Sequence, residues 1–160
     1  MYVARPGLVE RLVLISATAG IDDRGERAAR RASDDELAAT IEVDGVATFL
    51  ERWIAQPLFV TLEEPGLDDR RRNTAEGLAS SLRLAGTGSQ APLWDALPEL
   101  AMPVLLVAGS LDAKFVHTAE RRAGLLPHAT LFVIDGAGHT AHLERPAAFL
   151  AALDAWLATT

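Results

Sequence analysis

The 160-residue chain contains no cysteine, which excludes disulfide cross-links, thiolate catalysis and cysteine-ligated zinc together. It is also short of positive charge. Fifteen Lys and Arg face 22 Asp and Glu, for a net charge of -7 and an isoelectric point near 5.0. With no basic stripe to displace phosphate counterions, nucleic acid is not an expected partner. Long apolar runs are missing too: nothing approaches the ~18 residues of a membrane span, and residues 1–6 (Met1-Tyr2-Val3-Ala4-Arg5-Pro6) lack the apolar core of a signal peptide. A soluble, cytoplasmic protein with no membrane partner is the expectation. What is present is a chain of 49% apolar and 23% charged side chains, able to bury a core and of a length for one domain.

Three continuous apolar stretches, each followed by turn residues, read as buried parallel strands: residues 12–16, 104–108 and 131–134. Between the second and third, Val116, Ala119, Ala123 and Leu126 share one helical face before Pro127 stops the helix. A strand, helix, strand unit with a right-handed crossover follows. Pro146 at a helix start, with Phe149, Leu150, Leu153, Trp156 and Leu157 behind it, predicts a C-terminal helix packed on that sheet. Residues 20–101 differ in character, with helical periodicity, many charges and no convincing strand. They read as an inserted helical subdomain. Ser33-Asp34-Asp35-Glu36 has the form of a capping box. Val46, Phe49, Leu50, Trp53 and Ile54 predict a second amphipathic helix ended near Pro57, and Leu78, Leu82 and Ala85 a third, ended by Gly86 and a polar loop. The fold class is therefore α/β, with a core of residues 1–19 and 102–160 and a helical segment, with its connection to the core, over 20–101.

In an open parallel sheet, ligands bind outside the carboxyl ends of the strands. Gly109-Ser110-Leu111-Asp112 follows the second strand and Asp135-Gly136-Ala137-Gly138-His139 the third, so an acid and a histidine emerge from neighbouring strand ends. A carboxylate that accepts the Nδ1 proton of an imidazole fixes its tautomer and leaves Nε2 to take a proton from a nucleophile. Two-thirds of a catalytic triad are thus in view. Each residue also has a plainer role: Asp112 can cap the helix that begins near Phe115, and His139 can be an ordinary turn histidine. Gly136 and Gly138 favour the functional reading, because they let the backbone bend so that His139 reaches back over the sheet. His139, His142 and Glu144 carry metal-ligand chemistry, but with no third histidine, no cysteine and no helical His-Glu-x-x-His spacing, a metal is not expected. His117 and His128 are expected at the surface.

The order of elements, the acid in Gly109-Ser110-Leu111-Asp112, and the run Gly136-Ala137-Gly138-His139-Thr140-Ala141-His142-Leu143-Glu144-Arg145-Pro146 resemble the C-terminal half of an α/β-hydrolase. More narrowly, Gly77-Leu78-Ala79-Ser80-Ser81-Leu82, Gly86-Thr87-Gly88-Ser89-Gln90-Ala91-Pro92-Leu93-Trp94, Met102-Pro103-Val104-Leu105-Leu106 and Asp112-Ala113-Lys114-Phe115 resemble the menaquinone-pathway synthases that eliminate pyruvate from a cyclohexene polycarboxylate. The resemblance implies parallel strands with flanking helices, an inserted helical cap, a small anionic substrate and no cofactor. It implies His139 as base and Asp112 as its orienting acid. It further implies Arg27 and Arg70 as ligands of substrate carboxylates, Trp53 as a cap residue facing the pocket, and Lys114 beside the catalytic acid. Arginines do cluster locally, as Arg24, Arg27, Arg30 and Arg31 and again as Arg70, Arg71 and Arg72. The alternative for them is a solvated helix face paired with Asp22, Asp23, Glu26, Asp68 and Asp69. Trp53 shares a helical face with Phe49 and Leu50, as a residue of the cap's own core would.

An α/β-hydrolase carries its nucleophile in Gly-x-Ser-x-Gly, between a strand and a helix early in chain order. The chain has no such pattern. Ser16 ends a strand but runs into Ala17-Thr18-Ala19-Gly20, Ser110 belongs to the acid turn, and Ser80, Ser81 and Ser89 belong to the helical segment. By the same resemblance, residues 1–7 end the helix that follows the nucleophile turn. The serine, its oxyanion loop and the N-terminal half of the sheet are then expected upstream of residue 1. The chain alone is expected to be inactive and, with an unpaired apolar strand edge, prone to aggregate. Two other functions stay open: a carboxylesterase or C–C bond hydrolase of the same fold, and an inactive remnant acting as a binding module.

Overall fold

Val104–Gly109 (β2) is buried at every residue, and the sheet is organised around it. In the computed structural model, which describes residues 7–63 and 67–159, β2 lies between Leu12–Ile15 (β1) and Ala129–Ile134 (β3), parallel to both. The expectation for residues 1–6 lies outside the described residues. After β1 come helices Arg24–Ile54 (α1), Leu67–Arg70 (α2) and Ala75–Ala85 (α3); β2 is followed by Ala113–Ala123 (α4), β3, Ala141–Glu144 (α5) and Pro146–Leu157 (α6). The chain divides into two units. One, residues 1–19, 61–63 and 93–160, holds the sheet; the other, residues 20–60 and 64–92, is helical.

In the sheet unit, strand alternation sends Val104, Leu106 and Ala108 to one face and Leu105 and Val107 to the other. Leu12 and Leu14 join the first face, which packs on Val116, Ala119 and Ala123 of α4. The second packs on Phe149, Ala152, Leu153 and Trp156 of α6. Val104, Leu105, Leu106 and Val107 have no exposed surface, and each contributes about 1.5–3 kcal/mol of apolar burial. Register sets the strand ends. Val104 pairs with Ala129 and Gly109 with Ile134, so β2 and β3 finish level and their following loops leave together. That pairing draws β3 back to Ala129, two residues before the expected start.

The helices depart from expectation in instructive ways. α4 begins at Ala113 instead of near Phe115, because Asp112 caps it, and it stops at Ala123 with Gly124 as C-cap; Leu126 is buried beyond the helix. On α6, Leu150 and Leu157 are exposed, since the packed face centres on Ala152 and Trp156.

Arg122 is the least expected core residue. It is 1% exposed, its Nε finds no hydrogen-bond partner among the described residues, and burial pulls its pKa below the ordinary arginine value. It lines a cavity of about 280 Å³ whose other walls include Leu12, Leu14, Leu93 and Leu97. An ion desolvated in this way costs stability unless it is paired.

In the helical unit, α1 starts nearly three turns before the expected cap. Asp23 accepts a 2.8 Å hydrogen bond from the Glu26 amide, so the working cap lies there and Ser33 sits inside the helix. The Ala- and Arg-rich stretch between them has high helix propensity and propagates straight through the Ser33 signal. Gly45, at φ 82, breaks the helix, a left-handed conformation that costs glycine little, and the expected second helix begins just after it at Val46. Thr74 caps α3 through the Gly77 amide, and Gly86 ends it. Arg83 clamps Glu42 of α1 through two bonds of 2.5 and 2.8 Å.

Two outcomes follow for the 160-residue chain. Arg122→Met should raise its unfolding free energy by about 1–4 kcal/mol, read as a higher urea midpoint at unchanged slope; a lower midpoint would contradict the account. Among the described residues β1 pairs on one side only and stays half-buried along its length. Light scattering should therefore show concentration-dependent association, whereas a monodisperse 17.1 kDa species would count against it.

Candidate active site

The site forms where β2 and β3 end. Past Gly109 the chain turns sharply: Ser110 N donates to Ile134 O, Leu111 N to Ala137 O, and Asp112 N back to Gly109 O, at 2.9–3.0 Å. Ser110 Oγ also accepts from Gly136 N at 2.9 Å, which ties the two loops together. This delivers Asp112 to the N-terminus of α4, where Oδ1 accepts from Phe115 N at 3.4 Å. The other oxygen, Oδ2, lies 2.7 Å from His139 Nδ1. One oxygen thus takes the capping role, and the other faces the imidazole.

The pair is shielded, with the Asp112 side chain 8% exposed and that of His139 20% exposed. Phe115 stands edge-on to the imidazole with ring centroids 4.7 Å apart. An ionised carboxylate only accepts, so the Nδ1 facing it must carry a proton. In the neutral ring that leaves Nε2 as the basic nitrogen, the state a general base needs.

The loop holding His139 has its own anchor. Gly136 takes a left-handed φ of 64. At Gly138 the requirement is space, because an added Cβ would collide with the Thr61 hydroxyl. Glu144 Oε2 accepts from Gly138 N at 2.6 Å, while Oε1 accepts from Thr140 N at 2.9 Å and Thr140 Oγ1 at 2.8 Å. The Thr61 hydroxyl donates to the same carboxylate. Burial alone would raise the Glu144 pKa; these hydrogen bonds outweigh it and hold the group below the ordinary carboxylate value.

The other expected residues fall as follows. Lys114 is exposed, with Nζ 5.8 Å from the Phe115 ring centroid. His117 and His128 are exposed. A ligand set of His139, His142 and Glu144 does not form: the Glu144 oxygens are engaged as described, and the His142 ring packs against Phe149 at 6.1 Å. Among the described residues, no three His, Asp or Glu side chains could hold a metal.

In the helical unit, Trp53 and Arg70 line one cavity of about 230 Å³ with Ile41, Leu50 and Leu78. Trp53 also contacts Phe49 and Phe59, at ring distances of 5.5 and 6.0 Å. Arg27 is not in that cavity, and its Nη1 donates to Ile21 O and Asp22 O at 2.7 and 3.2 Å. Arg71 and Arg72 pair with Asp68 and Asp69 on the surface. Arg30 was not singled out from sequence, yet it lines a second cavity beside Trp53, held by Asp34 at 2.9 Å.

A sheet of parallel strands, helices on both faces, and an acid and a histidine at adjacent strand ends define a class. Residues 1–153 match the model of the alpha/beta hydrolase family, and the chain belongs to that family. Within it, a protein of Bacillus subtilis (strain 168), provisionally named 2-succinyl-6-hydroxy-2,4-cyclohexadiene-1-carboxylate synthase, is 38% identical over 151 residues, which is 90% of this chain and 55% of that one. The synthase of that name from Salmonella heidelberg (strain SL476) is 34% identical over 146 residues, 89% of this chain and 56% of its own. The chain therefore spans about half the length of the curated relatives it matches. Among solved structures, MenH from S. aureus superposes with a TM-score of 0.90 at 32% identity, covering 94% of this chain and 59% of that one. A Thermogutta terrifontis esterase, at TM-score 0.73 and 24% identity, shares the fold. No helix of the described residues is long and apolar enough to cross a membrane.

The Glu144 anchor has a pH signature. A carboxylate whose pKa is lowered on folding stabilises the folded state above its unfolded value, near 4.5 here, and that stabilisation is lost as pH falls through the folded value below it. The stability gap between the native chain and Glu144→Gln should be full at neutral pH and close as the pH drops below about 4. A gap that widens on acidification would contradict the assignment.

Proposed function

We propose that the complete protein containing these residues eliminates pyruvate from an anionic cyclohexene polycarboxylate, with His139 as the general base and Asp112 orienting it. The observation that carries this reading is the 2.7 Å contact between Asp112 Oδ2 and His139 Nδ1, at the strand ends where the fold collects its chemistry. The names of relatives at 34–38% identity support the reaction class. In this reading a serine outside these 160 residues gives its proton to His139 Nε2, and the activated oxygen takes the substrate proton that starts elimination. Arg27 and Arg70 hold substrate carboxylates, Trp53 supplies an apolar wall, and Lys114 adds positive charge near Asp112. No cofactor enters. The 160 residues alone do not turn over, because they lack the Gly-x-Ser-x-Gly nucleophile.

A second reading, ester or C–C bond hydrolysis, draws on a specific observation. Arg27 spends Nη1 on backbone carbonyls, and Arg71 and Arg72 pair with aspartates, as structural arginines do. The experiment joins these residues to a nucleophile-bearing N-terminal half and measures pyruvate release beside ester cleavage. Expected are pyruvate release, its loss by about 10⁴-fold or more in Asp112→Asn and His139→Ala, and at least about a tenfold fall in kcat/KM for Arg70→Ala. Ester cleavage without pyruvate release, insensitive to Arg70→Ala, would favour the second reading. No activity of either kind would favour an inactive binding module.

A further inference from the structure

We propose that Glu144 is a positioning residue that sets the height and angle of His139 by gripping the backbone on both sides of it. The inference deepens the reading of His139 as a base and rests on that reading for its functional weight. The two amides bonded by the carboxylate belong to Gly138 and Thr140, the residues that flank His139. A group holding both neighbours restricts the backbone torsions that aim the imidazole. The loop's backbone ties to the turn after β2, from Gly136 N to Ser110 Oγ and from Leu111 N to Ala137 O, lie before Gly138. The loop follows a left-handed turn at Gly136 and leads into α5, a helix of only four residues, with no side-chain cap at its N-terminus.

Charge makes the grip firm. Hydrogen bonds to an ionised acceptor are shorter and roughly twice as strong as neutral ones, and Glu144 takes bonds from Gly138, Thr140 and Thr61 together. The Thr61 hydroxyl also occupies the space that a Cβ at Gly138 would need, so it closes the loop from the other side. Glutamine is nearly isosteric but cannot replace the group. Its amide nitrogen is a donor, and in place of Oε2 it would face the Gly138 N–H, a donor against a donor.

The test uses these residues joined to a nucleophile-bearing N-terminal half, ¹⁵N-labelled, and two NMR readouts. One is amide exchange at Gly138 and Thr140, referenced to Leu105 and Leu106 in the buried strand. The other is the downfield His139 Nδ1 proton of the bond to Asp112. Glu144→Gln is expected to accelerate exchange at Gly138 and Thr140 by about 10- to 100-fold, leave Leu105 and Leu106 within about twofold, and shift or abolish the Nδ1 proton signal. Unchanged exchange at the two loop amides would overturn the proposal. So would an unchanged Nδ1 proton beside faster exchange, because the loop would then be held without aiming the ring.

Should Glu144→Gln loosen the buried strand as well, Thr61→Val decides. It removes one bond to the carboxylate and leaves the rest. A smaller change in the same direction at Gly138 and at the Nδ1 proton supports the grip, and no change at either overturns it. The two readings fail separately. Absence of pyruvate release from the complete protein would leave these signals as expected, while intact turnover with unmoved signals would remove Glu144 alone.

Discussion

The hydrogen bond between Asp112 and His139 depends on two parallel strands ending level. Because Gly109 pairs with Ile134, the loop after each strand starts from the same height, and a 2.7 Å contact can form between residues far apart in sequence. That alignment is secured by burial. Val104 to Val107 have no exposed surface, so a slip in register would move every one of these side chains to the wrong face. The apolar core thus sets the geometry of a polar pair that lies outside it.

Three features then refine the pair. Helix α4 takes one Asp112 oxygen as its cap, which leaves the other to face the imidazole. Phe115, on the same helix, closes one side of the ring. The Glu144 carboxylate holds the loop on which the ring is mounted. The capping bond is long at 3.4 Å and the histidine contact short at 2.7 Å, so the better geometry goes to the histidine.

Much of this was legible from residue order. Continuous apolar runs marked the strands, because a strand buried on both faces cannot alternate, and the rule of strand carboxyl ends led directly to Asp112 and His139. The second and third helices were read from their apolar spacing, with Pro57 and Gly86 as their ends; the break at Gly45 was not foreseen. What escaped was non-local or against type. Ser33 had the form of a cap, but Asp23 offered an equivalent one a few turns earlier and the intervening residues favour helix. Arg122 lies three residues after Ala119 and four before Leu126, at the edge of the expected apolar face, but its charge argued against burial. Glu144 could be weighed only as a metal ligand, since its partners include Thr61, which the fold brings in from a distant segment. The signal that was available is chemical: a Gly-x-Gly turn leading into a very short helix exposes backbone amides, and a carboxylate four residues past Thr140 is placed to accept from them. Arg30, which lines a cavity beside Trp53, was one of four arginines at helical spacing, and spacing alone did not rank it.

In the proposed reaction Asp112 acts through His139 and not beside it. A double-mutant cycle on pyruvate release by the complete protein tests this most directly, comparing Asp112→Ala, His139→Ala and the two together. Strong non-additivity is expected, with the double variant no slower than His139→Ala alone, because removing the base leaves the acid nothing to orient. Losses that simply multiply would show that the two residues act independently, and would contradict that reading.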